Sequence, residues 1–180
     1  MLLQAQNSAF LLVDVQERLL PAMAEGEAVV ARAGILLQAA ATLGVPVLAS
    51  EQYPQGLGPT VPALTALLPA GATMAKLHFS CAADPAIARR LKGLARPQVV
   101  LAGIEAHVCV LQTALGLLEQ GYAPFVVADA TSSRAASNKD AGLARMRAAG
   151  IGIVTTEMVV FEWLGQAGTP AFKTLSKLIR

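Results

Sequence analysis

Short apolar segments rich in valine and leucine alternate along this chain with longer segments rich in alanine and leucine. The short segments are too short for typical helices and fit buried strands, and the longer ones fit helices. Gly44, Gly121 and Gly150 follow three of the longer segments, where helix C-caps are expected. The predicted strands are 9–13, 45–49, 98–102, 123–128 and 151–155, with a less distinct one at 71–75; the predicted helices lie near 27–43, 84–95, 107–120 and 138–149.

This alternation predicts the α/β class: a three-layer α/β/α sandwich whose mainly parallel sheet is doubly wound, with helices on both faces. A length of 180 residues fits one domain over 1–180, and we find no repeat or linker that divides it. The composition, 54% hydrophobic and 14% charged residues, is sufficient to fill a sizeable core.

Three ionisable residues follow predicted strands. Asp14 ends the apolar run 9–13, Lys76 follows 71–75, and Cys109 begins the helix after 98–102. Ligands of open parallel sheets bind at the carboxyl ends of the strands, so we expect all three side chains in one crevice. Asp14 could also be a helix N-cap and Lys76 a solvated surface charge.

The position of Cys109 at a helix start favours a thiolate, because free backbone N–H groups and the helix dipole stabilise negative charge there. The same N–H groups could hold the oxyanion that forms when a thiolate attacks a carbonyl. The alternative is that Cys109 is a small buried packing residue, as most free cysteines are. Cys81 has no charged neighbour in the sequence, and we interpret it as a packing residue.

The ordered set Leu11-Leu-Val-Asp14-Val-Gln16, Lys76 and Gly103-Ile-Glu-Ala-His-Val-Cys109-Val110 resembles the isochorismatase-like cysteine hydrolases over nearly the whole chain. The resemblance implies a catalytic triad of Asp14, Lys76 and Cys109. It also implies a cis peptide bond between Ile104 and Glu105 that directs backbone donors, among them those of Ala106 and Val108, towards the oxyanion. Further candidates for the pocket are Gln16, Glu51, Tyr53 and His107.

The segment Ser50-Glu-Gln-Tyr-Pro-Gln-Gly-Leu-Gly-Pro-Thr60 is similar to a metal-free branch of this family, the isochorismatase-domain-containing proteins, which implies no metal and no cofactor. Nicotinamidases carry an Asp and His cluster after the second strand, whereas residues 50–60 contain no histidine. True isochorismatases lack the nucleophilic cysteine, so Cys109 favours attack on an acyl carbon. We therefore expect a metal-independent hydrolase that cleaves a small amide or related acyl compound through a thioester.

Two other functions stay open: a non-catalytic binding or scaffold protein that kept the fold, and a redox-sensing thiol protein in which Cys81 resolves oxidised Cys109. Asp129 or Arg134 could order the site by contacting the catalytic residues, although a helix-capping Asx or Ser turn is the more common role of residues in such a segment. The loop 53–59 could overhang the site or be an ordinary surface turn.

The partner expected from the sequence is a small molecule. A net charge of +2, with Arg89, Arg90 and Lys92 on a probable helix, does not predict a nucleic-acid surface, and Gly56 and Gly58 do not form a dinucleotide fingerprint. We see neither a leader nor a membrane span, and two cysteines give no disulfide framework, so we expect a cytoplasmic protein. The apolar surplus, together with an apolar helical face in 170–180, favours a homo-oligomer.

Overall fold

The computed structural model describes residues 1–179 and contains a six-stranded sheet in the order β3-β2-β1-β4-β5-β6. Every neighbouring pair of strands in it is parallel. The strands are β1 Ser8–Val13, β2 Val47–Gln52, β3 Thr73–Lys76, β4 Gln98–Ile104, β5 Ala123–Ser132 and β6 Gly152–Val154.

Eight α-helices connect or follow these strands within residues 1–179: α1 Gly26–Leu43, α2 Pro54–Leu57, α3 Pro62–Thr65, α4 Pro85–Gly93, α5 Leu111–Glu119, α6 Ala136–Ala148, α7 Thr156–Leu164 and α8 Pro170–Leu175. A π-helical turn, Ala106–Val110, joins β4 to α5. Short 3₁₀ turns lie at Ala5–Asn7 and Leu20–Ala22. Helix α8 forms the first part of the predicted segment 170–180, and Arg180 lies outside the described residues.

The two faces of the sheet bury separate hydrophobic clusters, as the alternation of side chains along β1 shows. Phe10 and Leu12 pack into a cluster that includes residues of α1, α7 and α8. Leu11 and Val13 point to the other face and pack with residues of α4, α5 and α6. Because consecutive strand residues face opposite sides, this division requires helices on both faces. The structure therefore confirms the three-layer α/β/α sandwich.

Helix α1 is long and apolar enough, by length and composition, to cross a membrane. In the folded chain, however, it is a core helix: seven of its residues are buried, and it packs in the same cluster as Phe10 and Leu12. Gly44 ends it in the left-handed conformation, as predicted for its cap.

The predicted strands and principal helices are present. The short helix α3 was not predicted, and there are three further differences. Helix α7 was not predicted; Thr155 caps its first turn by accepting from the N–H of Met158, and Gly165 ends it. Residues Pro54–Leu57 form a helical turn inside the loop that we expected to be irregular. Strand β5 continues to Ser132 after a register shift opposite Leu101–Gly103, so Asp129 lies within the strand and not after it.

The strand order reverses at β1, because β2 and β3 lie on one side of it and β4 to β6 on the other. In open α/β sheets, ligands bind outside the carboxyl ends of the strands at such a switch point. The residues that follow β1 and its two neighbours are therefore the first place to look for a functional site.

Candidate functional site

Asp14 is the first residue after β1 and is fully buried. Its backbone lies in the left-handed region, with φ 53°, a conformation that aspartate tolerates better than most residues. The backbone N–H of Asp14 donates to the carbonyl of Ser50 at the same edge of the sheet (3.1 Å). This geometry turns the carboxylate away from the strand direction and into the crevice. Its oxygens are bound there by Ser50 and Lys76, so Asp14 is not a helix N-cap.

Gly103 on β4 makes this turn of the chain possible. It pairs with Val13, and a Cβ atom at position 103 would lie 2.0 Å from the Val13 carbonyl oxygen. Its φ of +123° is also a value that L side chains rarely adopt. Only glycine therefore allows β4 to approach β1 this closely beside Asp14.

The Asp14 carboxylate is held by two buried groups. The Ser50 hydroxyl donates to Oδ1 and the Lys76 ammonium donates to Oδ2, each over 2.7 Å. The Lys76 and Asp14 side chains are both 0% exposed, so they form a fully desolvated ion pair. Lys76 is thus a buried partner of Asp14, not a solvated surface charge.

Lys76 is the last residue of β3, and two further acceptors complete its shell. Its Nζ donates to Gln52 Oε1 over 2.7 Å and to the carbonyl of Phe79 over 3.1 Å. Neither contact was anticipated from the sequence, although Ser50 and Gln52 both lie in the last half of β2 at the edge where Asp14 and Lys76 meet. That position is the signal that could have identified them.

Cys109 lies in the π-helical turn after β4 and is 6% exposed. Burial raises the pKa of its thiol well above the ordinary value. The Asp14 carboxylate raises this pKa further, by its charge and by accepting a hydrogen bond from the protonated thiol, while the Lys76 charge lowers it. The structure therefore brings the three predicted triad residues together in one buried cluster.

Burial and the Asp14 charge both oppose the thiolate that the position of Cys109 at a helix start predicts. Backbone N–H groups and the helix dipole favour a thiolate at a helix start, but desolvation opposes any charged form at a buried atom. Burial and the neighbouring Asp14 charge raise the Cys109 pKa and so favour its thiol form. Such a thiol becomes a nucleophile when a neighbouring base takes its proton during attack.

Cys81, which we interpreted as a packing residue because it has no charged neighbour in the sequence, is packed in the core but also lies near two charges. Cys81 is fully buried in the same cluster as Cys109 and lies within the influence of the Asp14 and Lys76 charges. Burial, and then the charge of Asp14, raise the pKa of Cys81 to about 11. Sequence proximity could not show this, since Cys81 reaches the site through the chain reversal between β3 and α4.

The peptide bond between Ile104 and Glu105 is cis, as the family resemblance implied. Within residues 1–179, the backbone N–H groups of Ala106 and His107 donate to no protein acceptor, as expected at the start of a helical turn. The N–H of Val108 donates to the Glu105 carbonyl over 3.1 Å, so Val108 does not offer the free donor that we expected.

Two side-chain pairs brace this turn from the strand β5 side. Glu105 Oε2 accepts from Arg134 Nε over 3.0 Å, and His107 Nδ1 shares a hydrogen bond with Ser133 Oγ over 2.9 Å. Arg134 therefore orders the turn that carries Cys109. Asp129 instead accepts from the N–H and hydroxyl of Thr156 and holds the start of α7.

The remaining pocket candidates fix the segment that follows β2. Gln16 is fully buried, and its Nε2 donates to the carbonyls of Gln52 and Gly58. Glu51 Oε1 accepts from both the N–H and the hydroxyl of Thr60. Gln16 therefore fixes this segment from within and does not line a surface. Tyr53, 52% exposed, lines a cavity of about 450 Å³ that reaches Lys76 and Leu77.

Residues 1–179 contain no group of three or more His, Cys, Asp or Glu side chains arranged to hold a metal ion. His78 lies near Asp84 on the surface (3.7 Å), and His107 is engaged with Ser133. The chemistry available at the cluster is that of a thiol, a carboxylate and an ammonium group.

Comparison with known proteins gives consistent matches. The isochorismatase domain model matches residues 8–158. Human isochorismatase domain-containing protein 2 is 42% identical over 179 residues, and the match covers 97% of this chain and 83% of the human protein. A Caenorhabditis elegans structure described as MAR1 ribonuclease has a TM-score of 0.93 and 36% identity, covering 99% of this chain and 92% of that one. The YcaC gene product of Escherichia coli, described as an octameric hydrolase of unknown specificity, has a TM-score of 0.93 and 26% identity, with coverages of 99% and 90%.

Proposed function

Since the chain belongs to the isochorismatase family, a family of hydrolase-like proteins, we propose that it is a metal-independent cysteine hydrolase of small amides or related acyl compounds. One observation carries the proposal: the fully buried Asp14 carboxylate, paired with Lys76 over 2.7 Å, lies close enough to Cys109 to raise the pKa of its thiol. A nucleophile beside its general base, with the base fixed by a third group, is the arrangement that covalent catalysis requires.

In the first half-reaction, Cys109 Sγ bonds to the acyl carbon as its proton passes to Asp14. The carbonyl oxygen becomes an oxyanion, and the free N–H groups of Ala106 and His107 are the donors available to stabilise it. Collapse of the intermediate breaks the carbon–nitrogen bond. The proton held by Asp14 goes to the leaving amine, and the acyl group stays on Cys109 as a thioester.

In the second half-reaction, water attacks the thioester carbon while Asp14 takes its proton. The carbon–sulfur bond breaks, the acid leaves, and the proton returns to the Cys109 sulfur. The Lys76 ammonium, paired with Asp14 over 2.7 Å, offsets the negative charge of that carboxylate in its buried position.

Burial supports a small substrate. Cys109 is 6% exposed, so a reacting carbonyl must enter a narrow site, which a small acyl compound does more easily than a polynucleotide. The ribonuclease description of the C. elegans relative therefore does not guide the proposal for this chain.

The raised thiol pKa values also weigh against a redox sensor. Oxidation by peroxide follows thiolate character and exposure, and both Cys81 and Cys109 are buried and held as thiols. A hydrolase does not need a resting thiolate, since Asp14 takes the proton during attack.

We also propose a homo-oligomer. Tyr53, Leu77 and Phe79 are large apolar side chains exposed beside the site, with exposed fractions of 52%, 73% and 54%. Exposed apolar clusters of this kind are typical of protein interfaces, and the E. coli relative is described as octameric. Sedimentation velocity of the wild-type protein and of a Leu77→Ser, Phe79→Ser variant tests this: the variant should dissociate, and a monomeric wild type contradicts the proposal.

The function is tested with 4-nitrophenyl acetate, an activated acyl donor. The protein should release 4-nitrophenol in a burst, and peptide mass spectrometry after acid quench should find the acetyl group on Cys109. Cys109→Ala should lose both signals, and Cys81→Ala, the matched control, should still be acetylated at Cys109. Acetylation of Cys81, or an unchanged burst in Cys109→Ala, would refute the nucleophile assignment.

A panel of small amides then identifies the leaving group, with released ammonia or amine as the readout. Asp14→Asn should abolish turnover of amides, because no group remains to protonate the leaving amine. If the wild-type protein is acetylated but turns over no amide, the amide part of the proposal is refuted and ester or thioester substrates replace it.

A further inference from the structure

The ammonium of Lys76 has as many acceptors as it has hydrogens. A lysine offers three N–H donors and no acceptor. Its partners here are Asp14 Oδ2, Gln52 Oε1 and the Phe79 carbonyl, over 2.7, 2.7 and 3.1 Å. No hydrogen is therefore left for the substrate or for the sulfur of Cys109. Besides Asp14, the two acceptors that fix the orientation of the ammonium are Gln52 and the Phe79 carbonyl.

We propose that Gln52 is a positioning residue of the hydrolase, which holds the Lys76 ammonium against Asp14 and away from the substrate. The inference rests on the proposed function. Gln52 acts through Lys76 and touches neither the thiol nor the reacting acyl group. Its position follows from the sheet, because Gln52 on β2 and Lys76 on β3 are direct partners in the register of the two strands.

The orientation of the Gln52 amide is fixed at both ends. Its Nε2 donates to the carbonyl of Leu77 over 2.8 Å, and its Oε1 accepts from Lys76. Rotation of the amide by half a turn would place an NH₂ group against the ammonium and an oxygen against a carbonyl oxygen. Both contacts would be repulsive, so only one orientation presents an acceptor to Lys76.

The backbone of Gln52 is anchored as firmly as its side chain. Its N–H donates to Gln16 Oε1 over 2.7 Å, and its carbonyl accepts from Gln16 Nε2 over 3.0 Å. Gln16 also binds the Gly58 carbonyl, so it connects Gln52 to the segment after β2. Gln52 in turn binds the Lys76 ammonium. Gln52 therefore links the loop beside the site to the charge that stabilises Asp14.

Two variants separate a positioning role from a structural one. Gln52→Met keeps the length of the side chain but removes the acceptor, so one Lys76 hydrogen loses its partner and the ammonium can swing away from Asp14. We expect acetylation of Cys109 by 4-nitrophenyl acetate to slow by about tenfold or more, as for loss of a hydrogen bond to a charged group. Gln52→Glu keeps an acceptor for Lys76 and adds a negative charge.

For Gln52→Glu we expect a change in the pH dependence of thiol reactivity. The new carboxylate offsets the charge of Lys76, so the alkylation of Cys109 by iodoacetamide should begin to rise at a higher pH than in the wild type. Gln38→Glu is the matched control, because Gln38 is an exposed residue of α1 and gains the same charge there. It should leave both the alkylation profile and the acetylation rate unchanged.

The outcomes distinguish this inference from the function on which it rests. Failure of the wild-type protein to acetylate Cys109 refutes the proposed function. Normal acetylation of the wild type, with wild-type rates and an unshifted alkylation profile in both Gln52 variants, refutes the role of Gln52 alone. If Gln52→Met does not fold, Gln52→Glu decides the question, because it keeps the contact with Lys76 and nearly the same shape and loses only the hydrogen bond to the Leu77 carbonyl.

Discussion

Replacement of Lys76 by methionine should destabilise the whole fold, and the structure gives the size of the effect. Lys76→Met preserves most of the side-chain volume but leaves the fully buried Asp14 carboxylate without its charged partner. Breaking a buried ion pair by removing one partner costs about 3–5 kcal/mol, because the remaining charge is uncompensated. A domain of this kind has about 5–15 kcal/mol in total, so the variant should fold but with a much smaller margin.

Urea unfolding measures this cost as a change in midpoint at constant slope. Thermal unfolding should show a fall of about 6–20 °C, since each kcal/mol corresponds to about 2–4 °C in a domain of this size. Lys139→Met is the matched control, because it breaks an ion pair with Glu25, whose side chain is 54% exposed. That exposed pair should cost less than about 1 kcal/mol.

The double variant Asp14→Asn, Lys76→Met gives the decisive comparison. The double variant has no carboxylate that could be left buried without a partner. Its loss of stability should therefore be smaller than the sum of the two single losses by about 2 kcal/mol or more. Additive losses, or a cost of Lys76→Met no larger than that of Lys139→Met, would refute the argument that a desolvated ion pair organises this edge of the sheet.

Two further predictions concern the thiols and the strand contact behind Asp14. The pKa of Cys109 is higher in the folded than in the unfolded state, so its thiol form stabilises the fold. This contribution is complete below the unfolded-state pKa of about 8.5. It is lost as the pH rises above that value, by up to about 1.4 kcal/mol per pH unit. Urea unfolding between pH 7 and pH 10 should therefore show a steeper loss of stability in the wild type than in Cys109→Ala; equal slopes would contradict the raised pKa. Gly103→Ala should cost at least about 2 kcal/mol and abolish acetylation of Cys109, because its Cβ would lie 2.0 Å from the Val13 carbonyl oxygen at an unfavourable φ. Gly93→Ala, where a Cβ meets nothing within 4 Å, should change neither property, and a similar result for the two alanine variants would show that the β1–β4 approach is not limiting.

The layers of the fold could be predicted from the sequence because burial leaves a periodic pattern in it. A strand covered on both faces must be apolar throughout, as β1 is from Ala9 to Val13, and helices between such strands must return across a parallel sheet. Helix α7 was missed because only Thr155, Thr156 and Glu157 separate the short strand β6 from the apolar run 158–161, and the Thr155 cap is a weak signal.

The sequence by itself determined which chemical groups this protein has and at which edge of the sheet Asp14, Lys76 and Cys109 meet, because strand ends are a local property of the apolar pattern. Only the tertiary structure decided their protonation and partners. Whether Cys109 rests as thiol or thiolate depends on water exclusion and on the Asp14 charge, neither of which is local in the chain. The end of β2 marks Gln52 as a residue at this edge, but only the register of β2 and β3 sets it against Lys76. Cys81 joins the site through a chain reversal of which the sequence carries no local mark.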